Sequence, residues 1–352
     1  MAQSHSRWHA VIEENEAGFG AALLRALLSV LGLGYLLGRN LHRGFYATGL
    51  RSRLTLPRPV ISVGNLTVGG VGKTPVVAWL ARRLQARRLV PVVLARGYGR
   101  EPSELLNEEG RWLRRTLPAL TVLQGADRAS LAKSYLREHD CDVFLLDDGF
   151  QHERIARVLD LVLIDATQPF GNGRLLPRGT LREPKRSLRR AQFIAVTRSE
   201  LLSEEVVESV RDQVRTIAPR AVVGIFRMGL CGVRERDELL DPACLRGRSV
   251  LLMCAVGNPV SVALTLEKAG ARIVARRCFK DHHRFQDAEW TEAFGAARAL
   301  QARLVVTEKD AEKWPPRREG EHPWVLVQTV DLVRGEADLE VLIDQALASG
   351  RR

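Results

Sequence analysis

The chain has 352 residues, 45% of them apolar and with no low-complexity tract, a globular composition large enough for two ordinary domains and a substantial core. Its formal charge of +12 is carried almost wholly by arginine, which suits phosphates or anionic lipid; nucleic acid is disfavoured, because no recognition motif is present and aromatics to stack bases are few. Cys141, Cys231, Cys244, Cys254 and Cys278 are scattered, odd in number and never at metal spacing, so reduced, buried thiols of a cytosolic protein are expected.

Residues 1–17 are polar and close on Glu13, Glu14 and Glu16, which suit a helix start. Residues 18–37, GFGAALLRALLSVLGLGYLL, approach the length of a membrane span, though Arg25 and the glycines weaken that reading. No basic leader or small-residue cleavage site marks a removable signal. Arg39, His42, Arg43, Arg51 and Arg53 follow directly, and cations at this edge favour an anionic membrane face on the cytoplasmic side. Residues 1–50 are therefore read as a membrane-associating segment, spanning or interfacial, with a buried amphipathic helix as the alternative.

The segment PRPVISVGNLTVGGVGKTPVVAWL organises the chain. Residues 60–63 read as a buried strand, 64–72 as a glycine-rich loop, and Thr74 opens a helix with Pro75 in its first turn. Backbone N–H groups and the positive helix end converge on an anion in such a loop, and glycines allow the close approach. Lys73 would reach terminal phosphates and the Thr74 hydroxyl would ligate Mg2+. Thr67 stands where the usual pattern has its first glycine, and Val68, Gly69, Gly70, Val71 and Gly72 complete the loop. The alternative is a turn with no ligand; Gly-Lys-Thr between strand and helix favours a nucleotide.

A second strand, 91–95, ends at Arg96-Gly97-Tyr98-Gly99-Arg100, a loop able to line a cleft. Residues 101–117 resist assignment but hold Glu108 and Glu109. A strand at 120–123 precedes a helix through Arg137. The apolar run 141–146 stops at Asp147-Asp148-Gly149-Phe150-Gln151-His152, and a buried strand delivering a carboxylate at its end can place a Mg2+ ligand opposite the loop threonine. A fifth strand, 161–164, ends in Asp165, and the irregular GNGRLLPRGTLREP segment follows; long irregular loops are usually functional. The strand 193–196 leads to Thr197-Arg198-Ser199-Glu200, where phosphate-loop GTPases carry a base-reading Lys-x-Asp, so guanine is disfavoured. A helix at 204–217 and a strand at 222–227 end the phosphate-loop unit, 51–225. Alternation restarts in 226–352, with strands at 249–255, 272–276, 304–307 and 324–327 and helices reaching 269, spanning 287–300 and spanning 337–347. The fold class is thus α/β, a P-loop NTPase-like α/β/α domain followed by a smaller α/β domain that closes a cleft.

SVGNLTVGGVGKTP, ARGYGR, DDGFQH, GNGRLLPRGTLREP, VGNP, FKDHH and TEKDAEK occur in that order, and the chain resembles the tetraacyldisaccharide 4′-kinases of lipid A synthesis from the hydrophobic helix to about Trp314. That family carries threonine at the position of Thr67. The resemblance implies ATP-dependent phosphorylation of the 4′-hydroxyl of an acylated glucosamine disaccharide 1-phosphate, giving lipid IVA, at the cytoplasmic face of the inner membrane, with no obligate protein partner. It implies metal roles for Asp147, Asp148 and Glu183, and a role for Arg182 on the transferring phosphate. It also implies a catalytic dyad in which His282 matches the family histidine. Asn107-Glu108-Glu109-Gly110 aligns with a Gly-Asp-Glu-Pro motif, so Glu108 replaces the aspartate as base, one methylene longer. The competing classes are a nucleotide-hydrolysing switch and a membrane-attached binder without catalysis.

Overall fold

The computed structural model describes residues 18–100, 104–314 and 321–350; Glu13, Glu14 and Glu16 lie outside them. In chain order the first half gives helix α1 (Phe19–Ala47), strand β1 (Val60–Asn65), α2 (Lys73–Ala86), β2 (Pro91–Ala95), α3 (Glu108–Thr116), β3 (Thr121–Gln124) and α4 (Arg128–Glu138). It continues through β4 (Val143–Asp147), β5 (Leu159–Asp165), β6 (Phe193–Thr197) and α5 (Glu204–Ile217). Then come β7 (Val222–Glu235), β8 (Glu238–Leu240), β9 (Ser249–Cys254), α6 (Pro259–Lys268), β10 (Arg272–Cys278) and α7 (Asp287–Ala299). Strand β11 (Arg303–Thr307), the single turn α8 (Glu308–Ala311), β12 (Trp324–Arg334) and α9 (Glu336–Ser349) complete the described chain.

Strands β1, β2, β4, β5 and β6 are buried at every residue, which is why they read as unbroken apolar runs rather than alternating ones. They lie in one 12-stranded sheet ordered β10-β9-β11-β12-β7-β6-β5-β1-β4-β2-β3, with β8 on β7. The expected boundary after residue 225 falls inside β7. Its first residues, Val222 to Ile225, pair in parallel with β6, and the rest of the strand pairs antiparallel with β12. Strand β12 in turn pairs in parallel with β11 through Trp324, Val325 and Leu326. One antiparallel ribbon therefore joins two parallel blocks, and register shifts at Val327/Gln328 and Leu332/Arg334 bend it. Helix α9 returns to the first block, where Leu339, Ile343 and Ala346 share a core with Val77 and Leu80 of α2 and Ile61 of β1.

Helix α1 does not take the packed position offered as an alternative. Only Leu28 and Gly32 are buried along its 29 residues, while Leu23, Leu27, Val30 and Leu33 face outward. By length and by the apolar character of an 18-residue stretch within it, it could cross a membrane. Its basic end is fastened to the body: Arg39 pairs with Glu183 at 2.5 Å and Arg43 with Glu153 at 3.0 Å. The cysteine expectation needs correction too. All five are free, but only Cys141 and Cys254 are buried, and Cys231 and Cys278 are exposed.

Candidate active site

The phosphate loop hangs between the buried strand β1 and helix α2. Gly72 at its end has φ +85°, a left-handed backbone that glycine adopts without strain, and a Cβ there would stand 1.9 Å from Met228 Cε. Residues 69–75 line a cavity of about 790 Å³. Thr67 and Val68 do not line it. Thr67 bridges to Leu181 and the Val68 N–H donates to the Thr180 carbonyl at 2.8 Å, so this pair anchors the loop to the irregular 171–184 segment. Lys73 Nζ donates to Asn65 Oδ1 at 3.1 Å and lies 3.4 Å from Asp148 Oδ1.

Strand β4 delivers Asp147 and Asp148 to the same cavity. Burial pushes the Asp147 carboxyl up, with Glu109 and Asp148 adding repulsion, and its Oδ1 is buried without a hydrogen-bond partner. An orphaned carboxylate oxygen beside Thr74 and Asp148 fits Mg2+, which takes few protein ligands and keeps substrate oxygens and water. Among the described residues no trio of His, Cys, Asp or Glu offers a complete protein cage. Asp148 sits at φ +51°. Burial alone would raise it, but Lys73 and Arg182 hold it down at about 2; Arg182 Nη1 donates to both its oxygens at 2.9 and 2.8 Å.

Glu183, for which a metal role is expected, does not join this cluster. It is fully buried, its oxygens accept from Arg190 at 2.7 and 3.1 Å and pair with Arg39, and it is absent from the cavity wall. Its contacts go to two guanidinium groups, and through Arg39 it fastens α1.

The second block reaches the loop through Gly257 and Asn258. A Cβ on Gly257 would stand 2.2 Å from Gly70 N, so only glycine allows this approach. Asn258 caps α6 by accepting from Ser261 N at 3.1 Å and donates to Asp165 at 3.1 Å. Asp165 also binds Arg198, whose Nη2 donates to the Gly70 carbonyl at 2.5 Å. Arg198 thus supports the phosphate loop from the place where guanine-reading residues stand in other folds.

At the far side of the cavity His282 and Glu108 come together from opposite blocks, with His282 Nδ1 against Glu108 Oε1. Helix α3 begins at Glu108 because Asn107 caps it, accepting from Gly110 N at 3.0 Å. Burial alone would raise Glu108; the His282 hydrogen bond and the Lys309 charge bring it down to about 2. The same hydrogen bond raises His282, against burial. His282, Glu109 and Lys309 line the cavity, whereas Glu108 sits behind them. Lys309 lies 3.2 Å from Glu109, 3.1 Å from Asp281 and 3.7 Å from Glu108.

A phosphate loop, a paired carboxylate and a cross-block Glu–His pair thus stand in or directly behind one cleft. The sequence profile described as tetraacyldisaccharide-1-P 4′-kinase matches residues 24–348. The chain belongs to the tetraacyldisaccharide-1-P 4′-kinase family. It is 39% identical over 349 residues to the tetraacyldisaccharide 4′-kinase of Anaeromyxobacter sp. strain Fw109-5, covering 94% of this chain and 93% of that one. It is 36% identical over 322 residues to that of Geobacter sulfurreducens, covering 87% and 89%. The crystal structure of the "apo" form of LpxK from Aquifex aeolicus in complex with ATP superposes with a TM-score of 0.70 at 26% identity, covering 92% of this chain and 99% of that one. As a member of this family the chain is an ATP-dependent kinase of lipid A biosynthesis that phosphorylates a tetraacyldisaccharide at its 4′ position.

The cavity wall also contains residues that sequence reasoning passed over. Arg128, read only as the start of a helix, is buried; it donates to the Asp147 carbonyl at 3.1 Å and meets His152 Nδ1 at 3.0 Å. Its Nε has no partner, and the signal available was an arginine directly after the Gly-Ala-Asp turn that ends β3. Lys309 was visible only as part of TEKDAEK; its place among three carboxylates needed the tertiary fold. Arg96, Gly97 and Tyr98 line the cavity as expected of ARGYGR.

Proposed function

We propose that the chain transfers the γ-phosphate of ATP to the 4′-hydroxyl of tetraacyldisaccharide 1-phosphate, giving lipid IVA, while docked by α1 on the cytoplasmic face of the inner membrane. The observation that carries this reading is the meeting of Glu108 and His282, one from each block, at the cavity that holds the phosphate loop. Lys73 leaves Asp148 and Asn65 for the terminal phosphates, and Arg182 turns with it, so two cations offset charge on the transferring group. Mg2+, held by Thr74 and Asp147 with Asp148 alongside, would neutralise charge on the phosphate oxygens when bound.

The sugar hydroxyl gives its proton to the dyad. Glu108 was expected to be the base and His282 its support; burial of Glu108 behind His282, and its low pKa, favour the reverse arrangement. His282 then takes the proton on Nε2, while Glu108 fixes the ring and stabilises the imidazolium. The pH dependence tests this. His282 must be neutral to act, and Glu108 raises its pKa above the ordinary value of about 6.5. Activity of the wild type therefore falls as pH drops through that raised value. In Glu108→Gln the raising interaction is gone, and the acid limb of kcat/KM moves to lower pH. A limb that stays in place while the rate is lost returns the role of base to Glu108.

Labelled ATP with tetraacyldisaccharide 1-phosphate in anionic vesicles tests the whole reading. Label in the lipid, with the protein floating on the vesicles, is the expected result. Phosphate release independent of the lipid would make the chain a nucleotide switch, and protein left in the soluble fraction would remove the membrane from the account.

A further inference from the structure

Cys254 closes β9 and Cys278 closes β10, and the two are direct partners in the parallel ladder. Their Sγ atoms are 3.8 Å apart. Neighbouring strands run about 4.8 Å apart, inside the roughly 4.4–6.8 Å separation of Cα atoms that a disulfide spans. Cys254 is buried and Cys278 exposed, so a soluble reagent meets one sulfur while the second waits behind it. The Cys254 contact lowers the Cys278 thiol against burial, with Arg276 assisting, and Cys254 is raised in turn; the exposed member is therefore the better nucleophile.

Both strands lead straight into the catalytic cleft. Beyond Cys254 come Gly257 and Asn258 on the phosphate loop, and beyond Cys278 comes His282 on Glu108. The ends are already laced together, since Phe279 N donates to the Cys254 carbonyl at 2.8 Å. We propose that Cys254 and Cys278 form a modification site, a dithiol that a peroxide converts reversibly to a disulfide and that slows phosphoryl transfer when closed.

The chemistry balances. The Cys278 thiolate attacks a peroxide oxygen, the O–O bond breaks, and with one proton from solvent hydrogen peroxide leaves water and a sulfenic acid on Cys278. The Cys254 sulfur then displaces the hydroxyl, its proton leaving with that group as a second water. Two thiols are oxidised by two electrons and one peroxide is reduced. Closing the sulfurs from 3.8 Å to about 2.05 Å reorients both side chains and ties the two strand ends covalently, which restrains the loops beyond them when the cleft must adjust to substrate. A displacement approaching an ångström at a catalytic group costs up to about 100-fold in rate, and a roughly 10-fold loss of kcat is expected here.

The test treats the full-length kinase in vesicles with hydrogen peroxide and follows turnover and peptide mass together. The expected result is a Cys254–Cys278 linked peptide lacking two hydrogens, a parallel fall in kcat, and recovery of both with dithiothreitol. Cys278→Ser should match the untreated wild type and resist peroxide. The proposal is overturned if no such peptide forms, if the linked enzyme turns over at the original rate, or if C278S loses activity equally. The last result would assign the damage to another thiol, such as exposed Cys231.

Discussion

Lys73→Ala lowers kcat by about 1000-fold, the upper range for loss of one preorganised group that stabilises transition-state charge, while the protein stays folded. The two halves of this expectation have separate grounds. Lys73 makes one hydrogen bond to Asn65 and one longer contact to Asp148. Asp148 keeps its two bonds from Arg182 when the lysine is gone, so the stability cost is on the order of 1 kcal/mol. No other lysine stands on the loop, and Arg182 is held by Asp148. The measurement is kcat with saturating ATP and lipid, beside a thermal melt. Turnover within about tenfold of wild type would show that the lysine does not act on the transferring group.

His282→Ala lowers kcat by about 100- to 10,000-fold, the range of positioned acid–base groups, with little change in ATP affinity. The side chain touches Glu108 and stands near Tyr98, with ring centroids 6.0 Å apart, and no contact ties it to the phosphate loop. His282 also sits at φ +64°, a backbone region that asparagine tolerates better than alanine. His282→Asn therefore separates chemistry from folding. It should be as slow as the alanine variant and more stable. If H282N bound ATP normally and turned over at the wild-type rate, proton transfer would have to lie elsewhere.

The parts of this molecule that were legible in the sequence are those where local chemistry and tertiary position agree. Strand β2 and helix α5 match the expected ranges, since a buried parallel strand is an apolar run between breakers and α5 has a clean amphipathic pattern. Asp147 and Asp148 could be found because an acidic pair has no reason to end an apolar strand unless something binds it. Helix α3 could not be found, because its few apolar residues are scattered among arginines and its start depends on Asn107, itself held by Gln124 from the next strand. Strands β7 and β12 ran past their expected ends because residues in the ribbon are half exposed and lack a continuous apolar run. Glu183 is a different case: its motif sets it next to Arg182 in sequence, and its pairing with Arg39 and Arg190 depends on the tertiary fold alone. Helix α1 continues ten residues beyond the apolar stretch for a related reason, since Arg39 and Arg43 find carboxylates that stabilise them there.

The return of α9 to the first block bears on how this chain is made. Its apolar side completes the packing around α2 and β1, and Arg83 reaches across to Glu336 and Glu340 at 2.6 and 2.8 Å. On the ribosome, where folding generally proceeds from the N-terminus, the nucleotide-binding half must wait with a bare apolar face until the last of these elements emerges. The second block, inserted between β7 and β12, can mature in the meantime, so a nascent chain depends on protection of that face until α9 has been made.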